Sequence, residues 1–379
     1  MEHPRLGSLI DHFALLPDPR MDRTKRHLLL DIVVIAVCAV ICGADTGVDL
    51  AEYGRAKYAW LKRFLPLPHG IPSHDTFARV FARLNPDAFR TCFLGWLEGV
   101  REQTGGQLGS QRIAVDGKSS RHSFDRALGR SPLHLVSAWA TETGLVLGQV
   151  AVEEKSNEIT AIPELLTILE LAGCIVTIDA MGTQKEIAKT IVEQEADYVL
   201  ALKGNQGTLY ADVELFFQWA DGEQYQGIAH GTHETQSTGH GRVERRRTTV
   251  TDALDWLQGQ REWVGLQTIV MVEAWRTQGH ETSYERRYYI SSLGPDAKQI
   301  GESVRGHWAI ENSLHWVLDI AFREDESRIR KGNAPENFAM RRHIAVNLLK
   351  QERTNNHGVK AKRNRAGWDN GYLLTVLGI

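Results

Sequence analysis

Cysteine is scarce in this chain of 379 residues, which has four of them, Cys38, Cys42, Cys92 and Cys174. Their number and spacing fit neither a disulfide framework nor a zinc site built from paired cysteines. Cys38 and Cys42 lie four residues apart in an apolar segment, which favours buried small side chains over metal ligands. The scarcity of cysteine excludes a disulfide-stapled secreted domain and favours a reducing, cytoplasmic compartment.

The sequence also lacks a hydrophobic run long enough to cross a membrane. Its most apolar stretch, residues 28–42, is shorter than a bilayer span and contains Asp31, which favours a buried helix. The first residues, MEHPRLGSLIDHF, show no basic segment followed by an apolar one, so we expect no signal peptide. We therefore expect an intracellular protein with no membrane partner.

A strong excess of one charge is absent as well, because 44 Lys and Arg residues stand against 47 Asp and Glu residues, for a net charge of −3. Any contact with nucleic acid must therefore come from local basic clusters. The hydrophobic share of 42% and the charged share of 24% are typical of globular proteins and argue against extensive disorder. The length allows two or three domains with a sizeable core.

Changes in hydrophobic periodicity divide the chain into four parts. These parts are a helical N-terminal domain at 1–105, a mixed-sheet core at 106–204 and 294–350, a separate β-rich insertion at 205–293 and a polar, basic tail at 351–379. In the first part, Ser73 is the expected N-cap of a helix that turns Arg79 and Arg83 outward. We expect the core to fold without this first part.

Two aspartates are expected at the ends of short apolar strands. Asp116 follows Ile-Ala-Val, and Asp179 follows Ile-Val-Thr-Ile. A carboxylate costs free energy to bury unless it pairs or binds a cation, and carboxylates on adjacent strand ends form an oxygen-rich site suited to Mg²⁺. Either aspartate alone is explained as well by a turn cap, but the two together favour a metal site.

A third carboxylate lies on the helix expected at 305–319. Glu311 is placed there beside an apolar stripe that consists of Trp308, Leu314 and Leu318. A partly buried glutamate needs a partner, which a metal or Arg305 would supply; the alternative is a surface salt bridge of little energetic value. His307, Glu311 and His315 recur every four residues and suggest zinc, but they lack the His-Glu-x-x-His pattern, so a zinc hydrolase is the weaker hypothesis.

Three basic clusters flank these carboxylates. The first contains Arg242, Arg245, Arg246 and Arg247; the second contains Arg323, Arg328, Arg330 and Lys331; the third contains Lys350, Arg353, Lys360, Lys362, Arg363 and Arg365. A single cluster usually marks a solvated surface. Three clusters around a carboxylate site favour contacts with the phosphates of DNA.

Several motifs together resemble the DDE transposases of bacterial insertion sequences, in the group that includes the H-repeat-associated proteins. They are VDGK with Asp116, TIDAMGTQ with Asp179, LKGNQ at 202–206 and HWAIENSLHWVLDIAFRED with Glu311. The resemblance runs over nearly the whole chain. It implies an RNase H-like core with a β-rich insertion before its glutamate. It also implies a catalytic, metal-ligating triad of Asp116, Asp179 and Glu311 that uses two Mg²⁺ ions, for which Mn²⁺ can substitute.

The resemblance further implies cleavage and joining of double-stranded DNA at insertion-sequence ends by a homodimer, which associates with the nucleoid when bound to DNA. The residues expected to contact DNA are Lys118, Arg79, Arg83, Lys203, Asn205, Arg242, Arg245, Arg246, Arg305 and Arg323. The Tyr, Arg and Lys that many relatives carry around the glutamate are here Val304, His307 and Leu318. Their phosphate contacts must come from other residues or be absent, so a DNA-binding remnant without catalysis is the second hypothesis.

Overall fold

The computed structural model describes residues 4–103, 111–125, 129–153, 156–239 and 241–378. The predicted domain boundary at residues 105 and 106 lies outside these ranges, and so does His240. No helix within them is both long enough and apolar enough to cross a bilayer.

The first hundred residues are helical, as predicted. The helices are α1 (Pro4–Ala14), α2 (Leu29–Ile41), α3 (Gly47–Ala56), α4 (Tyr58–Leu61), α5 (His74–Arg83) and α6 (Pro86–Gln103). Helix α2 is buried at every residue except Leu30, which agrees with its uniformly apolar sequence. Ser73 caps α5 by accepting a hydrogen bond from the N–H of Thr76, and Arg79 and Arg83 are exposed on that helix.

A nine-stranded mixed sheet forms the centre of the molecule. Its strands are β1 (Arg112–Ser120), β2 (Leu133–Ala140), β3 (Leu145–Ala151), β4 (Ile175–Ile178), β5 (Asp197–Leu202), β6 (Gly231–Gly239), β7 (Arg242–Thr251), β8 (Thr268–Gln278) and β9 (Glu281–Ser291). The first five strands lie in the order β3-β2-β1-β4-β5, with β1, β2 and β3 antiparallel and β1, β4 and β5 parallel. This is the RNase H-like arrangement that the resemblance implies.

The strands expected in a separate insertion continue the same sheet instead. Strand β9 pairs with β5 in antiparallel register, with Leu200 opposite Ile290, and β8, β7 and β6 follow outward. The sequence also failed to predict helix α9 (Gly207–Gly222) in this region. Exposed Leu215 and Trp219 lie between its buried residues and obscure the helical period.

Helices cover both faces of the sheet. The remaining ones are α7 (Glu158–Thr167), α8 (Lys185–Glu193), α10 (Ala297–Ile310), α11 (Trp316–Phe322), α12 (Ala334–Gln351), α13 (Val359–Trp368) and α14 (Asn370–Leu377). Successive strand residues point to opposite faces, and the neighbours Ile175 and Val176 accordingly belong to different hydrophobic clusters. Ile175 packs in a small cluster with Ile300 and Val304 of α10, which therefore lies over one face of β4.

The N-terminal helices share their core with the rest of the chain. Helix α12 is buried along most of its length and packs against α2, α5, α6 and β3. One continuous hydrophobic cluster contains Val34 of α2, Val136 of β2 and Ile344 of α12. Removal of residues 1–105 would expose this surface, which argues against the expectation that the core folds without them.

The C-terminal segment expected to be a polar tail is folded. Within α13, the ammonium of Lys362 donates to the carbonyl of Leu349 at 3.0 Å. The guanidinium of Arg363 donates to the carbonyl of Val40 at 2.7 Å and lies 4.0 Å from the centre of the Phe322 ring. Both side chains are buried, so these two members of the third basic cluster do not face solvent.

Candidate active site

The sequence suggested that Asp116 ends a strand, but in the structure Asp116 lies within strand β1. The strand continues because its pairing with β2 runs on to Ser120 opposite Leu133. One carboxylate oxygen of Asp116, Oδ1, accepts a hydrogen bond from the N–H of Gly117 at 2.9 Å. Its other oxygen lies 3.5 Å from Nδ1 of His315.

Asp179 directly follows β4, as predicted. Strands β1 and β4 are parallel neighbours with Val115 opposite Ile178, so the next residues, Asp116 and Asp179, occupy equivalent places on adjacent strands. The Oδ1 atom of Asp179 accepts hydrogen bonds from the N–H groups of Met181 at 3.0 Å and Gly182 at 3.2 Å. The topology thus brings the two aspartates to one region of the sheet.

Glu311 begins a π-helical segment, Glu311–His315, between α10 and α11. Such segments are rare and occur often at functional sites. The side chain of Glu311 is exposed, which corrects the expectation that tryptophans would bury it. Trp308 does not cover it because its ring, 39% exposed, packs 4.6 Å from the guanidinium carbon of Arg287.

Asp116, Asp179 and Glu311 line one cavity of about 400 Å³. Its wall also contains basic and aromatic side chains, among them Lys203, Tyr210, Arg287, His307 and Trp308. The three carboxylates therefore face a shared space that is large enough for cations and part of a substrate.

The electrostatics of this cavity suit a divalent cation. Burial, together with the negative charges of Asp179, Glu158 and Glu311, raises the pKa of Asp116 to about 7, although the hydrogen bond from Gly117 opposes the shift. Carboxylate oxygens are the ligands that Mg²⁺ prefers, so the donor set fits this ion. Within the described residues, no three His, Cys, Asp or Glu side chains are already spaced to hold one metal ion. An ion held by all three carboxylates would therefore require at least one of them to move.

The two helix histidines contact different strands. Nδ1 of His307 lies 3.1 Å from the hydroxyl of Thr177 on β4, and burial lowers the pKa of His307. His315 lies beside Asp116 on β1; burial and the charge of Lys118 lower the pKa of His315 to about 4. The histidines do not surround Glu311, and the described part of the chain offers no zinc site of the kind considered from the sequence.

Glu158 and His134 are two polar neighbours of the site that the sequence reasoning missed. Nε2 of His134 lies 2.6 Å from Oε1 of Glu158, and its Nδ1 lies 2.6 Å from the hydroxyl of Ser119. Proline is common in the first turn of a helix, so Pro163 favours a helix start there, whereas α7 begins at Glu158. The sequence feature that could have indicated this earlier helix start is Asn157, whose side chain caps α7 by accepting a hydrogen bond from the N–H of Ile159.

Three predicted DNA contacts lie near the carboxylates. The ammonium of Lys118 is directed at carboxylates of the protein itself, 2.7 Å from Asp319 and 3.2 Å from Asp325. The side-chain amide of Asn205 donates to the carbonyl of Ala180 at 2.7 Å. Lys203 is exposed at the wall of the cavity. Lys203 is thus the member of this group whose charge remains directed to solvent.

The arginines of β7 are paired within the sheet. Arg245 and Arg247 both contact Glu234, at 2.8 and 2.7 Å. Arg242 and Arg246 both contact Glu244, at 3.6 and 2.7 Å. These ion pairs reduce the charge that the cluster presents to a phosphate.

Four further arginines complete the predicted set. Arg305 is exposed and lines a second cavity of about 200 Å³, which also contains Arg246 and Trp308 and so adjoins the first. Arg323 is exposed and forms an ion pair with Glu326. Arg79 and Arg83 lie on α5 and are not among the lining residues of the carboxylate cavity.

Comparison with known proteins places the chain in a family. The family described as "Transposase DDE domain" matches residues 107–348, and the family described as "DDE_Tnp_1-associated" matches residues 10–97. The chain is 42% identical over 376 residues to "Putative transposase YncI" of Escherichia coli O157:H7, a match that covers 98% of this chain and 95% of that protein. It is 39% identical over 377 residues to "H repeat-associated putative transposase YhhI" of Escherichia coli K12, covering 98% of each protein.

A solved structure of the piggyBac transposase synaptic complex with hairpin DNA aligns with 98% of this chain and 76% of that chain, at a TM-score of 0.43 and 8% sequence identity. The match to the DDE domain spans more than half of the chain, and the match to the two Escherichia coli proteins spans nearly all of it. The chain belongs to the family of DDE transposases.

Proposed function

We propose that this protein is an active transposase that cleaves double-stranded DNA at insertion-sequence ends and joins those ends to target DNA, with Mg²⁺ as its cofactor. The observation that carries the proposal is the common cavity of about 400 Å³ lined by Asp116, Asp179 and Glu311. The family supplies the class of reaction. The raised pKa of Asp116 supports a cation at this place, because a divalent cation would relieve the repulsion among the carboxylates.

The carboxylates of Asp116, Asp179 and Glu311 would hold two Mg²⁺ ions; Mn²⁺ would substitute. When bound, such ions lower the pKa of an attacking water or 3′-hydroxyl and stabilise the leaving oxygen. The chain positions its ligands on adjacent strands and on the π-helical segment. Burial lowers the pKa of His307 and of His315, which favours their neutral forms and so limits the positive charge that would oppose the ions.

DNA would reach the carboxylates along exposed cationic side chains. Lys203 at the cavity wall and Arg305 at the adjoining cavity are the nearest exposed candidates for phosphate contacts. Contacts farther away would come from the other exposed arginines of the predicted set, which are Arg79, Arg83, Arg242, Arg245 and Arg323. Arg246 would contribute less, because Glu244 already neutralises it.

The test is a cleavage assay on a duplex that contains the DNA flanking the gene. We expect nicking at the element end in Mg²⁺ or Mn²⁺, no nicking in EDTA, and joining of the freed 3′ end to a second duplex. Asp116→Asn should bind the same duplex without cutting it. Specific binding by the wild-type protein without nicking under any metal condition would contradict the proposal and favour the catalytically inactive remnant.

The same complexes test the proposed homodimer. Mass photometry of wild-type protein with end-containing duplex should show two chains bound to two ends. A complex that contains one chain at saturating protein would contradict the dimer without affecting the cleavage result.

A further inference from the structure

The segment after β5, Lys203-Gly-Asn-Gln206, is hydrogen-bonded to the turn that follows Asp179. The side-chain amide of Asn205 donates to the carbonyl oxygen of Ala180 at 2.7 Å, and that of Gln206 donates to the same oxygen at 2.8 Å. Gln206 also donates to the carbonyl of Thr183 at 3.1 Å. Three hydrogen bonds from two side chains therefore reach two carbonyls of one short turn.

The Gln206 side chain is itself held in place. Its Oε1 accepts a hydrogen bond from the backbone N–H of Lys203 at 2.9 Å, while its Nε2 reaches the turn. Both functional atoms of this amide thus have partners within the protein. The amide acts as a bridge between the end of β5 and the end of β4.

The turn that receives these bonds determines where the carboxylate of Asp179 lies. Its Oδ1 accepts the N–H groups of Met181 and Gly182, so the carboxylate and the turn move together. The hydroxyl of Thr183 donates to the carbonyl of Ala201 on β5 at 2.6 Å and lies 3.1 Å from the carbonyl oxygen of Asp179, so it also connects the turn to β5. Oδ2 of Asp179 is the carboxylate oxygen left without a hydrogen-bond donor among the described residues.

Close packing prevents the turn from moving toward α7. A Cβ atom at Gly182 would overlap the side chain of Ile178 and lie 2.7 Å from Cδ1 of Ile162. The backbone of the turn is therefore confined on the side of Ile162 by these apolar groups and tied to the 203–206 segment by the amides of Asn205 and Gln206.

We propose that Asn205 and Gln206 are positioning residues, which fix the turn after Asp179 and so orient its carboxylate to bind a divalent cation. This inference rests on the proposed function. It replaces the expected contact between Asn205 and DNA, since the amide of Asn205 is already directed at Ala180. Groups that hydrogen-bond the elements carrying metal ligands commonly change metal affinity or activity by about 10–100-fold when they are removed.

Both residues can be replaced with little effect on the hydrophobic core, because Asn205 is exposed and Gln206 is only partly buried. Asn205→Leu and Gln206→Met remove the amide donors with little change in size and none in charge. Gln218→Met, on the exposed surface of α9, is the matched control. Mn²⁺ binding to these variants, to wild type and to Asp179→Asn is measured by electron paramagnetic resonance in the absence of DNA. Affinity for the end-containing duplex is measured in Ca²⁺.

We expect Asn205→Leu and Gln206→Met to bind Mn²⁺ about tenfold more weakly than wild type, and the double variant more weakly still. Their affinity for the duplex should stay within about twofold of wild type, and Gln218→Met should match wild type in both measurements. Cleavage by the two variants should be restored in part by raising the Mn²⁺ concentration, which a contact with DNA would not produce.

Three other results would overturn the inference, and they can be distinguished from one another. If Asp179→Asn loses Mn²⁺ binding while Asn205→Leu and Gln206→Met retain it, the proposed metal site stands and the positioning role fails. The same holds if the two variants lose affinity for DNA with unchanged Mn²⁺ binding. If Asp179→Asn binds Mn²⁺ as tightly as wild type, the proposed metal site itself fails, and the inference fails with it.

Discussion

The ammonium of Lys118 lies 2.7 Å from the carboxylate of Asp319 and so connects strand β1 to helix α11. Asp325, in the turn beyond α11, approaches the same ammonium at 3.2 Å. Asp116 lies two residues before Lys118 on β1, and Glu311 precedes α11. This ion-pair network therefore helps to fix the distance between two of the proposed metal ligands, Asp116 and Glu311.

Replacement of Lys118 should destabilise the protein more than it weakens DNA binding. Lys118→Met leaves Asp319 and Asp325 to repel each other, and we expect a loss on the order of 2 kcal/mol in the free energy of unfolding, measured with urea. Lys118→Arg keeps the charge and should recover most of the loss. Unchanged stability in Lys118→Met, together with a reduced salt dependence of DNA binding, would return Lys118 to the role of a phosphate contact.

Glu311→Gln should abolish catalysis while it preserves folding and DNA binding. The substitution keeps the size of the side chain and removes an anionic ligand, so we expect cleavage to fall by at least about 100-fold. Asp319→Asn is the comparison, because Asp319 is paired with Lys118 and acts only indirectly; its cleavage should fall by about 10–100-fold at most. Near-normal cleavage by Glu311→Gln, with a larger loss in Asp319→Asn, would place the third ligand on α11.

Part of the site could be predicted from the sequence because its strands are short, apolar and followed by small residues. Asp116 and Asp179 were expected at strand ends for this reason; the sheet places them on adjacent strands, with Asp179 directly after β4 and Asp116 inside β1. The exposure of Glu311 could not be predicted, because the π-helical segment shifts its side chain relative to a regular helix. Glu158 was missed because Pro163 suggested a later helix start, although α7 contains that proline.

The burial of Lys362 and Arg363 was also hidden from sequence reasoning. A basic segment without apolar periodicity usually indicates a solvated surface. Here the last carbonyls of two helices, Val40 on α2 and Leu349 on α12, lack partners within their own helices and accept hydrogen bonds from these side chains. Such a contact depends on where helices that are distant in the sequence end. Local sequence patterns carry no information about these positions.

Glu336 should make the protein less stable as the pH rises. Burial raises the pKa of this carboxyl to about 7; Arg90 opposes the shift, and Asp87 and Glu164 add to it. The folded protein therefore binds this proton more tightly than the unfolded chain does. Stability falls as the pH increases from about 4.5 to 7, and the full penalty, on the order of 3 kcal/mol, persists above pH 7.

Glu336→Gln tests this relationship because glutamine does not titrate. We expect the variant to melt several degrees above wild type at pH 8 and close to it at pH 5, in thermal unfolding followed by circular dichroism. A difference in melting temperature that is the same at both pH values would show that Glu336 does not titrate in this range.

Lys203 and Arg246 should differ in their contributions to DNA binding. Lys203 is exposed at the cavity wall, whereas Arg246 is paired with Glu244 at 2.7 Å. Lys203→Met should lower the slope of log affinity against log salt by about one. Arg246→Met should leave the slope unchanged and reduce stability, because Glu244 loses a partner. Equal changes of slope in both variants would show that Arg246 leaves Glu244 to contact phosphate.

Gly117 should tolerate no side chain while Glu158 is present. A Cβ atom at Gly117 would overlap the carboxylate of Glu158 and lie 2.8 Å from Nε2 of His134. The carboxylate cannot simply turn away, because His134 holds it and Ser119 holds His134 in turn. We expect Gly117→Ala to lower the free energy of unfolding by about 1–3 kcal/mol, the usual cost of overpacking.

The cause of that loss can be isolated with a double-mutant cycle. Glu158→Ala removes the overlapping carboxylate, so the Gly117→Ala change should cost much less in the Glu158→Ala background than in wild type. The coupling free energy between the two substitutions, measured by urea unfolding, should be about 1 kcal/mol or more, because Glu158→Ala relieves the overlap that Gly117→Ala creates. Additive losses would mean that Gly117 is needed for the backbone of β1 itself. In that case Glu158 would be a neighbour of the site and not the reason that a glycine follows Asp116.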